Sequence, residues 1–521
     1  MRVQKLDFSE TRSFSSFFLD YIQQTDSLKS FYSRFPLLEN FEGQIKEKSK
    51  SFSQQQRDIL YQALTQQYQD IEVSDKVKNN LTSLKNSNTF TVTTGHQLNV
   101  FTGPLYFVYK IVTVINACKK LKQQYPAYDF VPVYWMASED HDYEEIKSLR
   151  VQGKKYTWVT QQTGAVGRFN TQGLTELANE IPGDTTLFKT AYSKGKTLSS
   201  AARQYVNQLF QQEGIVVIDA DDANLKKALI PVMQEDILNH TPFNLVTQTN
   251  SELHQLGYHT QVNAREINFF YLKDSLRARI EKRGERFHVI DSKISFSESE
   301  IGERIKNNPE EFSPNVILRP VYQEMILPNL AYVGGPAELV YWLELRKVFE
   351  LFRQPFPVLM PRNFALVADA PTLRKMEKTG IELSLYFAEK NFLFNHWTLQ
   401  NTNHELTTGK ELNLVTELFE NLRARANSID PTLNAFVGAQ AKRTTSALQK
   451  VEEKMIRAEK RKQKEKLAQI EAVKDAWFPN NSLQERTDNL LNFYPADPDF
   501  IKDLILLLDP FDYRFNILIN D

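Results

Sequence analysis

Residues 90–135 constrain the fold more than any other stretch of the chain. FTVTT (90–94) is β-prone, the polar loop GHQLNVFTGP follows, and LYFVYKIVTVINACKKLKQQ then carries Leu105, Val108, Val112 and Ile115 on one helical stripe. A second β-prone run, DFVPVYW (129–135), comes after a short polar turn. Strand, helix, strand in that order is a βαβ unit, which gives parallel strands joined by a right-handed crossover. Pro104 suits the first helical position, where its missing N–H costs nothing. GIVVIDA (214–220) reads as a further buried strand behind an amphipathic helix around 197–212, and β-prone runs recur at 268–272, 286–290, 316–319, 329–333 and 356–360. The expected class is α/β with a parallel-sheet core.

On either side the texture changes. Residues 1–85 are rich in Gln, Ser and Lys, and SQQQRDILYQALTQQYQDI within them reads as amphipathic helix leading into the core at 86–370. Residues 371–478 are long helix-forming stretches with few glycines. In 444–477, Leu448, Val451, Met455 and Ala458 follow 3-4-3 spacing, and Leu467, Ile470 and Val473 resume the stripe after a charged interruption. So narrow a seam suits an antiparallel coiled-coil hairpin. The tail, 479–521, regains aromatics and prolines and is expected to pack back on the core.

Bulk properties exclude several classes. At about 150 residues per domain, a chain of 521 has room for about three. The charge sum, 63 − 64 = −1, offers no field for nucleic acid or an anionic membrane. Cys118 stands alone, which rules out an internal disulfide framework and any multi-cysteine zinc or iron–sulfur site. No apolar run approaches the ~18 residues of a membrane span. The N-terminus lacks the apolar stretch of a signal peptide, so a reducing, cytoplasmic setting is expected.

Three constellations carry candidate chemistry. Gly95, His96, Gln97 and Asn99 follow the first core strand, at the sheet edge where open α/β folds bind ligands. Free N–H groups at a helix start near Gly103 favour an anion, and Lys110 one turn into the helix is placed to face a phosphate or simply solvent. The H-x-x-N pattern is similar to the signature of class I aminoacyl-tRNA synthetases and related adenylyltransferases; a polar helix cap is the bland alternative. The second constellation packs Glu139, Asp140, His141, Asp142, Glu144 and Glu145 into seven residues after the second strand. Acids so close need a cation or donors to stay charged, and His141 between carboxylates is a candidate general base with a raised pKa. Glu144 and Glu145 read better as helix-start acids. The third is VGGPAELVY, whose Gly334, Gly335 and Glu338 repeat the Gly-Pro and Val-Tyr spacing of FTGPLYFVY. Arg319 nearby can clamp a carboxylate, or pair with a surface acid. Gly195-Lys196-Thr197 is not a P-loop, because Thr190 stands where a glycine is required. No set of ligands spaced for a structural or catalytic metal is present.

Taken together, TTGHQLNVFTGPLYFVYK, VPVYWMASEDHDYEE, LRPVYQEMILPNLAYVGGPAELVYW and FPNNSLQER…LLDPFDYRF resemble the BshC family, cysteine ligases of bacillithiol biosynthesis. The resemblance covers nearly the whole chain in order. It implies a Rossmann-like core with two insertions, near 150–212 and 222–315, followed by a coiled-coil domain that forms a homodimer. It also implies addition of cysteine to the amine of glucosaminyl-malate, with small molecules rather than nucleic acid as partners. A carboxylate does not acylate an amine unactivated, so ATP is the expected co-substrate, with Mg²⁺ accompanying the nucleotide. Under that reading His96 and Asn99 with the Gly103 region hold phosphates or the activated carboxyl. Glu139 to Asp142 hold the cysteine ammonium or deprotonate the amine, and amides near Gly335 bind malate carboxylates. No KMSKS-like lysine loop follows the core. A nucleotidyltransferase with another acceptor and a non-catalytic coiled-coil assembly protein remain the alternatives.

Overall fold

The computed structural model describes residues 1–520. They divide into two compact units, one of Met1–Ser9, Ser13–Val367 and Ser482–Leu518, the other of Glu10–Arg12, Ala368–Asn481 and the chain end.

The first unit is built on a five-stranded sheet. In chain order its elements are β1 (Thr89–His96), α1 (Tyr106–Gln124), β2 (Asp129–Met136) and β3 (Val216–Asp219). An inserted antiparallel sheet follows, β4 (Phe269–Lys273), β5 (Leu276–Arg283), β6 (Arg286–Val289), β7 (Ser295–Phe296) and β8 (Phe312–Pro314). The chain then returns through α2 (Arg319–Ile326), β9 (Asn329–Gly334), α3 (Pro336–Leu343) and β10 (Val358–Pro361). The central order is β10-β9-β1-β2-β3, and every pair is parallel. From β1 the chain winds outward to one side, then crosses back to build the other, which is the doubly-wound Rossmann-like order.

Parallel strands covered on both faces should be apolar throughout. Accordingly every residue of β1 and β9 is buried. Phe90 and Val92 pack with Val114, Ala117, Cys118 and Leu121 of α1, and with Leu330, Val333, Val358 and Met360 of the neighbouring strands. Burying each large side chain of this set contributes roughly 1.5–3 kcal/mol. Thr91 and Thr93 are tolerated inside because Asn329 accepts from both hydroxyls, at 3.2 and 2.8 Å.

Two local expectations fail for identifiable reasons. Residues 316–319 are not a strand. Asn315 accepts from the Ile317 N–H at 2.9 Å and turns the chain into α2, while β8 pairs with β4 just before it. Nor does Pro104 open a helix. It bridges Asn489, the Leu105 N–H donates to the Asp488 carbonyl, and α1 begins at Tyr106.

In the second unit, α4 (Gly409–Ile429) and α5 (Leu433–Lys462) form a helical hairpin across a three-residue turn. The apolar stripe at 444–477 does not itself fold back. It is interrupted at Gln463, and α6 (Lys464–Trp477) instead buries Leu467, Ile470 and Val473 beside the helix Ala370–Thr379. Among the described residues no helix is long and apolar enough to cross a membrane.

Candidate active site

Strand order reverses at β1, whose connection leaves toward one face while that of β9 leaves toward the other. Such a divergence opens a crevice at the carboxyl edge. A cavity of about 740 Å³ lies there, and segments around positions 96, 140 and 335 all line it. Gly95, His96, Gln97, Lys110, Glu139, Asp140, His141, Arg319, Gly335 and Glu338 contribute to its wall. Asn99, Gly103, Asp142 and Gly334 do not.

Each of those four is spoken for by the fold. Phe101, Thr102 and Gly103 all have positive φ, and a Cβ on Gly103 would come within 2.4 Å of the Asn99 Cβ. Asn489 closes the loop by donating to the Phe101 and Gly103 carbonyls at 2.8 and 2.5 Å. The anion site expected at Gly103 is therefore replaced by a sealed turn, with the Gly103 N–H bonded to the Val100 carbonyl. Asn99 stands behind His96, its Nδ2 3.2 Å from His96 Nε2. Asp142 caps a short helix through the Glu145 N–H, and the Gly334 carbonyl accepts from the Arg362 N–H.

The Gly335 amide is no free anion site either. Glu338 reaches back and accepts it at 2.6 Å, and also meets Lys110 Nζ at 2.7 Å and the Tyr332 hydroxyl at 3.2 Å. Lys110 completes its shell on the Gly95 carbonyl at 2.8 Å. Burial would raise the Glu338 carboxyl, but Lys110 and the Gly335 N–H outweigh it and hold it below its ordinary value. The two Gly-Pro segments thus differ. Gly335-Pro336 caps a helix at the cavity, and Gly103-Pro104 does neither.

The acidic segment is held by cations from elsewhere in the chain. Lys226, fully buried, lies 2.8 Å from Glu139 and 2.9 Å from Asp221, which Arg168 grips with two hydrogen bonds at 2.7 and 3.0 Å. Burial opposes the Lys226 ammonium, but Glu139 and Asp221 outweigh it and raise its pKa. Asp140 accepts from the backbone N–H groups of His141 and Asp142 at 2.7 and 3.3 Å, and from Gln97 Nε2 at 3.2 Å.

His141 lacks the raised pKa that its flanking acids suggest, and His96 is lowered as well. Burial, then the charges of Lys110 and Arg362, holds His96 well below its ordinary value. For His141, burial and then Arg277 outweigh Asp140 and Asp142 and lower it. Arg277 arrives from β5 of the inserted sheet, its Nη1 2.6 Å from His141 Nδ1 and its guanidinium 4.0 Å over the Phe270 ring.

Arg277, Arg362 and Lys226 carry no motif, and sequence reasoning passed over them, while Arg486 entered only as the end of FPNNSLQER with no role assigned. The one faint signal was the basic alternation of LRARIEKR in β5. Among the described residues no group of three or more His, Cys, Asp or Glu is arranged to hold a metal.

Comparison with known proteins agrees with this architecture. The family model described as "Bacillithiol biosynthesis BshC, N-terminal Rossmann-like domain" matches residues 1–363, and the one for the C-terminal coiled-coil domain matches 365–519. Proteins named "Putative cysteine ligase BshC" are similar over most or nearly all of their length. That of Flavobacterium johnsoniae is 41% identical, covering 98% of this chain and 99% of its own. That of Cytophaga hutchinsonii is 39% identical over 99% and 98%. A more distant one, from Chlorobaculum tepidum, is 27% identical over 89% of each. With the doubly-wound sheet, the inserted sheet and the helical hairpin all in place, the chain belongs to the BshC family.

Proposed function

We propose that the cavity at the β1–β9 divide joins the carboxyl of cysteine to the amine of glucosaminyl-malate, as a carbon–nitrogen ligase of bacillithiol biosynthesis. The observation that carries this reading is that one cavity is lined by side chains of both charges, Glu139 and Asp140 among the acids and Arg277, Arg319 and Arg362 among the bases. An amino acid brings an ammonium and a carboxylate, and malate brings two carboxylates, so groups of both signs find partners.

Arg362 is buried, and its Nε has no hydrogen-bond acceptor among the described residues. An unspent donor at a cavity wall is costly unless a ligand anion completes it. Arg319 is stacked near Trp135, Tyr332 and Trp342, which fixes the plane of its guanidinium for a carboxylate or phosphate. ATP, the co-substrate we assign with its Mg²⁺, supplies the activation that a carboxylate lacks toward an amine. Arg319, whose Nη2 has no hydrogen-bond partner among the described residues, is the residue of this chain best suited to its phosphates, with the Arg362 Nε as a second donor, since Lys110 is spent on Glu338 and the Gly95 carbonyl. Glu139 and Asp140 hold the ammonium and orient the nucleophilic amine.

The working form we assign is a cytoplasmic homodimer. Leu414 and Leu418 of α4 and Phe436 of α5 are 66, 54 and 62% exposed on the hairpin, an apolar surface that a second copy would cover.

The test is ATP consumption dependent on both cysteine and glucosaminyl-malate, with AMP and ADP measured separately. Coupled turnover supports the ligase. If neither compound stimulates ATP consumption, the reading is wrong.

A further inference from the structure

The contact between Arg277 and His141 has a chemical consequence that sequence spacing hides. A guanidinium carries N–H donors only and stays protonated throughout the accessible pH range. Its Nη1 lies 2.6 Å from His141 Nδ1, so that ring nitrogen must offer its lone pair. A proton on Nδ1 would set N–H against N–H, and an imidazolium would add cation against cation. Arg277 is itself held in place. Its Nε donates to the Ser313 hydroxyl at 3.1 Å, its Nη2 donates to the Pro314 carbonyl at 3.3 Å, and the Phe270 ring lies under its plane. With three fixings besides His141, the guanidinium cannot swing away to accommodate an imidazolium.

We propose that Arg277 is a positioning residue that locks His141 in the neutral tautomer with its proton on Nε2. His141 is then a hydrogen-bond donor toward an oxygen of the bound substrate rather than the general base. The proposal rests on reading the cavity as the ligase site, and it deepens that reading by giving the inserted sheet a part in the chemistry. His141 lines the cavity with its side chain 46% exposed, and its Nε2 has no protein partner among the described residues, so the donor is open to water or to a ligand that displaces it. A nitrogen already bearing a proton cannot accept one, so the proton lost by the attacking amine leaves through another acceptor. The charged groups facing the ring are Arg277 from β5 and Asp140 and Asp142 from its own segment. Asp140 Oδ1 is 3.7 Å from Nδ1, too far for the hydrogen bond that would place the proton there.

The experiment is nitrogen NMR of the full chain labelled with ¹⁵N-histidine, with His141→Gln identifying the His141 signals. At pH 7.5 the expected result is one protonated nitrogen, Nε2, and a bare Nδ1. An Nδ1-protonated ring or an imidazolium at that pH would overturn the proposal. In Arg277→Met, Asp140 and Asp142 act unopposed, so His141 titrates higher than in the wild type, toward or above its ordinary value of about 6.5. An unchanged titration would also overturn it. Should Arg277→Met fail to fold, Arg277→Gln, which keeps a donor but not the charge, carries the same test of the titration. A bare Nδ1 in a protein without ligase turnover would sink the functional reading alone, and the opposite tautomer in an active ligase would sink only this inference.

Discussion

Arg362 and Glu485 lie 123 positions apart and form a two-pronged ion pair at 3.0 and 2.5 Å, both side chains almost wholly out of water. Glu485 also accepts the Ala365 N–H, so the pair ties the strand after the cavity to the C-terminal segment of the same unit. Removing one charge of a buried pair leaves the other uncompensated. Glu485→Leu should therefore cost about 3–5 kcal/mol, read as a lower urea midpoint. The double variant Arg362→Met with Glu485→Leu should recover part of that loss. A double variant no more stable than Glu485→Leu would show that the pair is not the source.

Asp236 is a buried carboxyl that accepts from Asn268 through its backbone N–H at 2.6 Å and its Nδ2 at 2.9 Å. Burial, against those two hydrogen bonds, pushes it up to about 7. Its native pKa thus exceeds the unfolded value, so the native state keeps a proton that the unfolded chain releases. Stability from this group is greatest below the unfolded value of 3.8 and falls as pH rises toward 7, by at most about 4 kcal/mol. Asp236→Asn should flatten the melting temperature against pH across that window. Parallel curves for wild type and variant would contradict the assignment.

How far the sequence carries can be judged residue by residue. The βαβ unit was legible because strands buried on both faces give unbroken apolar runs, and α1 keeps a helical period. The turns after β1 and β2 were legible because polar clusters at strand ends are local in sequence. The cations were not. Arg277, Lys226 and Arg362 reach the site from three distant segments, and no short window records that meeting. His141 shows the cost, since its own neighbours argue for a raised pKa and a residue 136 positions away reverses the sign. The hairpin partner α4 was missed for a different reason. Leu412, Val415, Phe419 and Leu422 do keep a 3-4-3 spacing and are half-buried, but the stripe within 444–477 offered a competing partner inside one segment.

The exposure of Leu414, Leu418 and Phe436 leads to a prediction about assembly, read by sedimentation velocity. If the proposed homodimer uses this surface, the wild type should sediment as a dimer, and Leu418→Glu combined with Phe436→Glu should sediment as a monomer with unchanged helical content. A variant that sediments as the wild type would place the contact elsewhere.

His96→Ala and Asp140→Asn test the two sides of the cavity together. If His96 and Asp140 act on the substrates, the folded double variant should lose about 10²–10⁴ in kcat. Full activity would remove both from the chemistry while leaving the family membership intact.

Cys118 sits among Val92, Val114 and Leu121 in the central core, and burial pushes its thiol far above the ordinary range. It is the single sulfhydryl of the chain, and none lines the cavity. If the chain ligates cysteine as proposed, a catalyst working among free thiols would thus keep its own out of reach. Oxidants that convert such thiols to disulfides would then leave the folded catalyst without a mixed disulfide of its own.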